Sequence, residues 1–173
     1  MTIRDAKYSD LPTLMEIYRE ARQIQFESGN LHQWKDGYPS EGQVRKDIAD
    51  GFCHVIEEGG RPVGAFALIF GPDPTYSHIE GGEWIEDTEP YAAIHRLGSL
   101  KSSRGVAEAC FEWCWERTHN LRVDTHQDNT VMRHCILKAG FSYCGVIHLL
   151  NGDPRLAYQK IDTDSVAIET ESE

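Results

Sequence analysis

Several kinds of pattern are absent from this chain of 173 residues, and each absence excludes a class of protein. No apolar run approaches the roughly 20 residues that cross a bilayer, so we expect no membrane-spanning segment and no membrane partner. The amino-terminal stretch lacks the apolar core of a secretory signal, and the five cysteines lack CxxC spacing. Together these absences favour a reducing, cytoplasmic setting.

Positive charge is also scarce. The chain has 17 Lys and Arg residues against 28 Asp and Glu residues, which gives a formal net charge of −11 at pH 7. Because contacts with nucleic-acid phosphates need a basic surface, this balance argues against a nucleic-acid partner. Part of the excess lies in residues 162–173, which hold five acids and no Lys or Arg. We therefore expect a single domain over residues 1–161, followed by an acidic, mobile tail over 162–173.

Motifs for several other chemistries are missing. The sequence has no GxSxG and no Ser-His-Asp order of the kind that hydrolases use, and no GxxxxGK[ST] phosphate-binding loop. His126, His134, Cys135 and Cys144 carry zinc-binding atoms, but their spacing fits no standard zinc site. We therefore expect no metal.

Among the patterns that are present, one stretch organises the chain. Residues 91–109, YAAIHRLGSLKSSRGVAEA, run from a short apolar segment through a loop of small residues into a helical pattern. This is the order strand, glycine-bearing loop, helix. The free backbone N–H groups of a helix's first turn, together with the helix dipole, attract anions. The sequence therefore predicts that a phosphate-bearing ligand binds at this turn.

Hydrophobic spacing predicts the order β, α, α, β, β, β, α, β, α, β, β for the whole chain. Ser40 is expected to cap the second helix, and residues 53–70 resemble a hairpin with a glycine-rich turn. Strands interleaved with helices predict an α/β (α+β) fold with helices on both faces of the sheet.

Two loops leave their roles open. The loop over residues 30–40 carries Trp34 and Tyr38, which either pack as core or line a substrate pocket. The connection over residues 76–90 holds Trp84 and five acids, and it contains no Lys or Arg. It is either a solvated acidic loop or a rim that attracts a cationic, amine-bearing acceptor.

Taken in chain order, residues 2–161 resemble the GNAT family of N-acetyltransferases. The window over residues 102–107 is similar to the family motif Q/R-x-x-G-x-G/A, with Gly105 and Ala107 in register and Ser102 in place of Gln or Arg. Residues 138–141, KAGF, resemble the family's K-x-G-F turn. The resemblance implies a mixed, mostly antiparallel sheet flanked by helices, whose fourth and fifth strands splay apart.

The same resemblance implies where acetyl-CoA binds as a co-substrate. In the family, backbone groups of the splayed fourth strand bond to the pantetheine arm, and amides at the next helix start hold the pyrophosphate. Asn129 would lie near the thiol of the cofactor. The matching residues are Leu97, Gly98 and Ser99 on the strand, and Arg104, Gly105, Val106 and Ala107 at the helix start.

The family's usual catalytic positions carry inert side chains here. Ala93 stands at the position of the glutamate base and Ile136 at that of the tyrosine acid. His95 lies two residues from Ala93, on the same strand face, and is either the replacement base or a packed histidine. Tyr143 is either the acid or a packing residue, and Glu83 is a candidate base acting through water.

The leading hypothesis is transfer of the acetyl group of acetyl-CoA to a primary amine of a small molecule or amino acid. Trp34, Tyr38 and Trp84 would then shape the acceptor site. Two alternatives remain open at this stage: a CoA-binding or sensor domain that has lost catalysis, and an acyltransferase that acts on a peptide amino terminus. The closing hairpin over residues 141–161 is a candidate contact for a homodimer.

Overall fold

Seven strands and four helices follow one another in residues 1–162, the part of the chain that the computed structural model describes. Their order is the one that the hydrophobic spacing predicts, and the predicted tail lies outside the described residues from 163 onward. The strands are β1 (Thr2–Asp5), β2 (Cys53–Glu58), β3 (Arg61–Phe70), β4 (Ala92–Ser99), β5 (Asn120–Thr125), β6 (Ser142–His148) and β7 (Pro154–Ile161). The helices are α1 (Leu11–Glu27), α2 (Glu41–Ala49), α3 (Val106–Arg117) and α4 (Thr130–Lys138).

The strands form one sheet in the order β1-β2-β3-β4-β5-β7-β6. Every neighbouring pair is antiparallel except β4 and β5, which run parallel. The predicted fold class, a mixed and mostly antiparallel sheet flanked by helices, is therefore confirmed. No helix among residues 1–162 is both long and apolar enough to cross a membrane.

Local sequence explains where several elements begin and end. The Ser40 hydroxyl accepts a hydrogen bond from the Gln43 N–H at 3.1 Å, so the predicted cap of α2 is confirmed. Gly59 and Gly60 have φ values of 59° and 77°, which two adjacent positions of a tight hairpin turn require. The predicted hairpin of β2 and β3 forms around them.

The two faces of the sheet are covered by different elements, because successive strand residues point to opposite sides. Helices α3 and α4 cover one face over a core that includes Phe66, Ile94 and Ile136. Helices α1 and α2 cover part of the other face, packing on Val55 and Ala65. The connection between β3 and β4 covers the rest of that second face.

This connection is held to the sheet by buried polar groups. The Gln159 carboxamide, fully buried on β7, accepts from the N–H groups of Ile85 and Glu86 at 2.8 and 3.2 Å. The Arg122 guanidinium lies 4.0 Å from the ring centroid of Trp84 and donates to Asp87 at 3.0 Å. The connection is therefore fixed to the sheet through its backbone and through Trp84, while most of its acidic side chains stay exposed to solvent.

Strand β4 changes course halfway along its length. His95 is paired with Ala67 of β3 and Gly98 with Ala65, so two residues of β4 lie opposite one of β3. Arg96, one of those two, has a φ of 53°. This is a β-bulge, which bends the strand that carries it. It directs the second half of β4 away from β5.

Candidate active site

The bend in β4 opens a wedge between two strands that are otherwise parallel neighbours. Pairing between β4 and β5 ends at Ile94 opposite Val123. Beyond that rung, His95, Gly98 and Ser99 stay paired with β3, while no described residue of β4 pairs with β5, so the edge of residues 97–99 that faces β5 has no strand partner. The predicted splay of the fourth and fifth strands is therefore present, and a cleft of about 580 Å³ opens where it begins.

Several parts of the chain line the cleft. Strands β4 and β5 form its floor, the loop before α2 and the turn between β6 and β7 form its rim, and the connection after β3 closes one side. Its chemistry-bearing side chains are Gln33, Trp34, Lys35, Tyr38, Asp73, Thr75, His95, Arg96, Asp124, Asn129, Asp153 and Arg155. The cleft thus combines charges of both signs with an aromatic wall.

A hydrogen-bonded pair of Asp73 and His95 lies inside the cleft. His95 Nε2 is 2.9 Å from Asp73 Oδ2, and both side chains are only about one-fifth exposed, at 20% and 19%. Thr75 donates to the other carboxylate oxygen through its N–H and its hydroxyl, at 2.9 and 2.7 Å. Burial alone would raise the pKa of Asp73, but the hydrogen bonds from His95 and Thr75 outweigh it and lower the pKa to about 2.

The ionised Asp73 therefore fixes the His95 ring. We assign the tautomer in which Nε2–H donates to Asp73, since a carboxylate without its proton only accepts. His95 Nδ1 has no hydrogen-bond partner among residues 1–162 and keeps its lone pair. An imidazole oriented in this way by a carboxylate is arranged to take up a proton.

A second carboxylate faces the cleft from β5. The Tyr76 hydroxyl donates to Asp124 Oδ2 at 2.6 Å, and the Tyr76 ring lies 6.0 Å from the His95 ring, centroid to centroid. Burial, followed by the nearby charge of Asp124, raises the pKa of Tyr76 well above its ordinary value. Tyr76 therefore stays a neutral donor and holds Asp124 in place.

The aromatic wall comes from the loop before α2. Trp34 packs edge-on against Tyr18 and Tyr38, with ring centroids 5.8 and 6.3 Å apart. Both side chains line the cleft; Trp34 is half-buried, whereas Tyr38 is 38% exposed and is not a core residue.

Asn129 lines the cleft and caps α4. Its carboxamide oxygen accepts from the Met132 N–H at 3.2 Å, and its nitrogen donates to Gln33 Oε1 at 3.0 Å. Gln33 thereby ties the loop before α2 to the start of α4.

The start of α3 lies beyond the free edge of β4. Gly105 has a φ of 77° and occupies the N-cap position. A Cβ built there meets no atom within 4 Å, so the space in front of the helix is open. The first amides of α3 have no carbonyl of their own helix to bond, which makes this a place for an anion.

Three of the residues predicted for catalysis or acceptor binding do not line the cleft. Trp84 is 6% exposed and donates its indole N–H to the Tyr76 carbonyl at 3.0 Å, so it is a core residue. Glu83 is exposed on the outer surface of the same connection. Tyr143 lines a separate groove between α4 and β6, with Tyr158 as its neighbour.

The two positions that resemble the family's catalytic sites are buried. Ala93 is 1% exposed beneath the connection after β3, and Ile136 is fully buried on the side of α4 that packs into the core. Neither side chain lines the cleft. Within residues 1–162, no three His, Cys, Asp or Glu side chains are grouped so that they could hold a metal ion.

Sequence reasoning did not select Asp73, Asp124 or Arg155. A signal existed for Asp124, because it alternates with apolar residues in the strand over residues 120–125 and so had to face one side of the sheet. No comparable signal marks Asp73, which lies between two prolines in an irregular segment.

Comparison with known proteins identifies relatives among solved structures. A GNAT-family acetyltransferase from Streptococcus agalactiae 2603 is 33% identical, with 93% of this chain and 95% of that chain covered and a TM-score of 0.85. A putative acetyltransferase from Staphylococcus aureus Mu50 is 23% identical over 93% of this chain and 99% of that one, with a TM-score of 0.69.

A third structure, a putative acetyltransferase from Salmonella typhimurium with its cofactor acetyl-CoA, is 16% identical over 93% of this chain and 94% of that one, with a TM-score of 0.58. Likeness at that identity shows the fold alone. No protein-family model and no curated protein matches the chain significantly. The one-third identity to the streptococcal enzyme over nearly the whole of both chains decides the question: the chain belongs to the GNAT family of acetyltransferases.

Proposed function

We propose that the chain is an N-acetyltransferase that moves the acetyl group of acetyl-CoA to a primary amine held in the cleft. The observation that carries this proposal is the Asp73–His95 pair, which lies in the cleft beside the free edge of β4. In this proposal the pair supplies a proton acceptor close to the point where the acceptor amine and the acetyl donor would meet.

Three features of the chain fit acetyl-CoA. The free backbone edge over residues 97–99 offers hydrogen-bonding groups to an amide-bearing arm. The open space at Gly105 and the unpaired amides of the first turn of α3 suit a pyrophosphate. Asn129 lies in the same cleft, at the start of α4. Acetyl-CoA supplies an activated thioester carbonyl when it is bound, and one structural relative carries it as a cofactor.

His95 acts as the general base in this proposal. An amine at neutral pH is protonated and attacks only after it loses a proton. The Nδ1 lone pair accepts that proton, and the charge that forms on the ring is stabilised by Asp73, which stays ionised because its pKa is about 2. Asp73 is a positioning residue, since it acts through His95.

Asp124 attracts the acceptor in its ammonium form. It is held by the Tyr76 hydroxyl, which leaves its second oxygen available to a ligand. Trp34 and Tyr38 on the opposite wall supply apolar contact for the remainder of the acceptor. Negative charge at Asp73 and Asp124 thus favours a cation at the place where His95 removes the proton.

A CoA-binding domain without catalysis is the second candidate function. The buried, inert side chains at Ala93 and Ile136 favour it, because the family's usual base and acid positions supply no proton-transfer group here. In a CoA-binding domain without catalysis, the Asp73–His95 pair would have only a structural role.

One assay separates the two candidates. The protein is incubated with acetyl-CoA and a panel of primary amines, and release of the free thiol is followed. Turnover on any amine, with the acetylated product verified by mass, supports the transferase. Thermal stabilisation by acetyl-CoA without turnover on the whole panel supports the binding domain instead.

A further inference from the structure

Arg155, the second residue of β7, is a buried cation without a carboxylate partner. Its side chain lines the cleft, and the residue is only 5% exposed. Among residues 1–162 it makes no ion pair. Its two hydrogen bonds go to backbone carbonyls, from Nη1 to Pro154 O at 2.9 Å and from Nη2 to Gln33 O at 3.0 Å.

The other cations of the cleft are neutralised. Arg96 is paired with Asp47 at 2.6 Å, and Lys35 is paired with Asp153 at 2.9 Å. A guanidinium has five N–H donors, and Arg155 uses two of them within the protein. No nitrogen of Arg155 is buried without a partner, so its unused N–H groups face the open cleft, where a ligand can accept hydrogen bonds from them.

The surroundings of Arg155 compensate its charge only in part. Burial lowers its pKa, while the more distant carboxylates of Asp124 and Asp153 act in the opposite direction. Neither carboxylate is close enough to form an ion pair with the guanidinium. The group therefore stays cationic and lacks a direct anionic contact.

Strand register places this cation at one end of a row of charges. Ala157 of β7 lies opposite Asp124 of β5, and Arg155 points to the same side as Ala157 because it is two residues away. Asp124 and His95 face the cleft from the next two strands of the sheet. The cleft floor therefore carries positive charge at β7 and negative charge with a base at β5 and β4.

We propose that Arg155 binds the carboxylate of the acceptor, and that the acceptor is an amino acid whose amine is directed towards Asp124 and His95. This inference rests on the proposed acetyltransferase function and names its substrate class. A planar guanidinium matches a carboxylate with two parallel hydrogen bonds, and the two backbone carbonyls keep its plane fixed. An amine without a carboxylate would leave the cleft-facing donors of Arg155 to water and would gain no ion pair there.

Pairs of acceptors that differ only in the carboxylate test the proposal. Free α-amino acids, each beside its own carboxamide, are assayed with acetyl-CoA by thiol release. For the best amino acid, kcat/KM should exceed that of its carboxamide by about 10- to 100-fold, the range for a hydrogen bond to a charged group. In Arg155→Gln this preference should fall to near one, mainly through a higher KM for the amino acid.

Arg45→Gln is the matched control. Arg45 is exposed on α2, pairs with Glu41 and does not line the cleft. It should keep the full preference. A wild-type enzyme that accepts the carboxamide as well as the acid, or an Arg155→Gln variant that keeps the preference, overturns the proposal.

A binding measurement keeps the test independent of turnover and of variant stability. Calorimetry with wild-type protein and CoA compares an N-acetyl amino acid with its N-acetyl carboxamide, and tighter binding of the acid is expected. Carboxylate-selective binding without turnover on any amine supports the Arg155 site and contradicts acetyl transfer. Turnover on amines without any carboxylate preference contradicts the Arg155 site and leaves acetyl transfer standing.

Discussion

The guanidinium of Arg96 and the carboxylate of Asp47 form a two-point ion pair, with N···O distances of 2.6 and 2.8 Å. Both side chains are almost fully buried, at 10% and 5% exposed. Arg96 is also the bulged residue of β4, and the Tyr18 hydroxyl donates to its carbonyl at 2.8 Å. Helices α1 and α2 thereby hold β4 bent at the point where it leaves β5, which is where the cleft begins.

Breaking this pair should destabilise the fold. Asp47→Asn leaves the buried Arg96 charge without its counter-charge, and we expect the free energy of unfolding to fall by about 3 to 5 kcal/mol. Urea denaturation of wild type and variant measures this difference in the free energy of unfolding. The matched control is Asp50→Asn on the exposed end of α2, where the pair with Lys46 should contribute less than about 1 kcal/mol. Equal losses for the two variants would contradict the buried role.

Removing the proposed base should affect chemistry more than binding. We expect His95→Gln to lower kcat/KM by about 10²- to 10⁴-fold, the usual contribution of general base catalysis, while the affinity for acetyl-CoA stays unchanged. The pH dependence that this base contributes to kcat/KM should disappear. His134→Gln, on the exposed face of α4, serves as the control. A wild-type pH profile in His95→Gln would return His95 to a structural role.

Charge at the start of α3 should decide cofactor affinity. Asn and Asp both tolerate the positive φ of Gly105 and have the same size, so Gly105→Asn and Gly105→Asp differ in charge alone. We expect Gly105→Asp to bind CoA at least about tenfold more weakly than Gly105→Asn, because its carboxylate would face the pyrophosphate. The same carboxylate favours the helix N-terminus, so Gly105→Asp should melt no lower. Equal CoA affinities would refute this position for the pyrophosphate.

The Asp73–His95 pair should make the free energy of unfolding depend on pH in the acidic range. The pKa of Asp73 is about 2 in the folded protein, below its ordinary value of 3.8, so the ionised form stabilises the fold. That contribution, about 2 kcal/mol, is fully present above pH 4 and is lost as the pH falls towards 2. Asp73→Asn should therefore be less stable than wild type at pH 7 and should approach it near pH 2. A stability difference that does not change over this range would contradict the assigned partners.

The sequence by itself determined the elements and their order. Alternating apolar positions fix which strand face is buried, and cap and turn residues such as Ser40 and Gly60 fix where elements begin and end, because these signals act within a few residues. The motif around Gly105 and the turn over residues 138–141 also placed the chain in its family before any contact was known. His95 was selected because it lies on a strand two residues from Ala93, a relationship that strand geometry alone provides.

Only the tertiary structure decided which side chains meet in the cleft. Asp73 reaches His95 across 22 positions of sequence, and Arg155 reaches Gln33 across 122. Such meetings depend on strand order and register and on the bulge at Arg96, which no local pattern encodes. For the same reason Trp84, Glu83 and Tyr143 do not line the cleft. Their residue types suited the chemistry. The packing of the connection after β3 buries Trp84 and exposes Glu83, and the position of β6 directs Tyr143 to a separate groove.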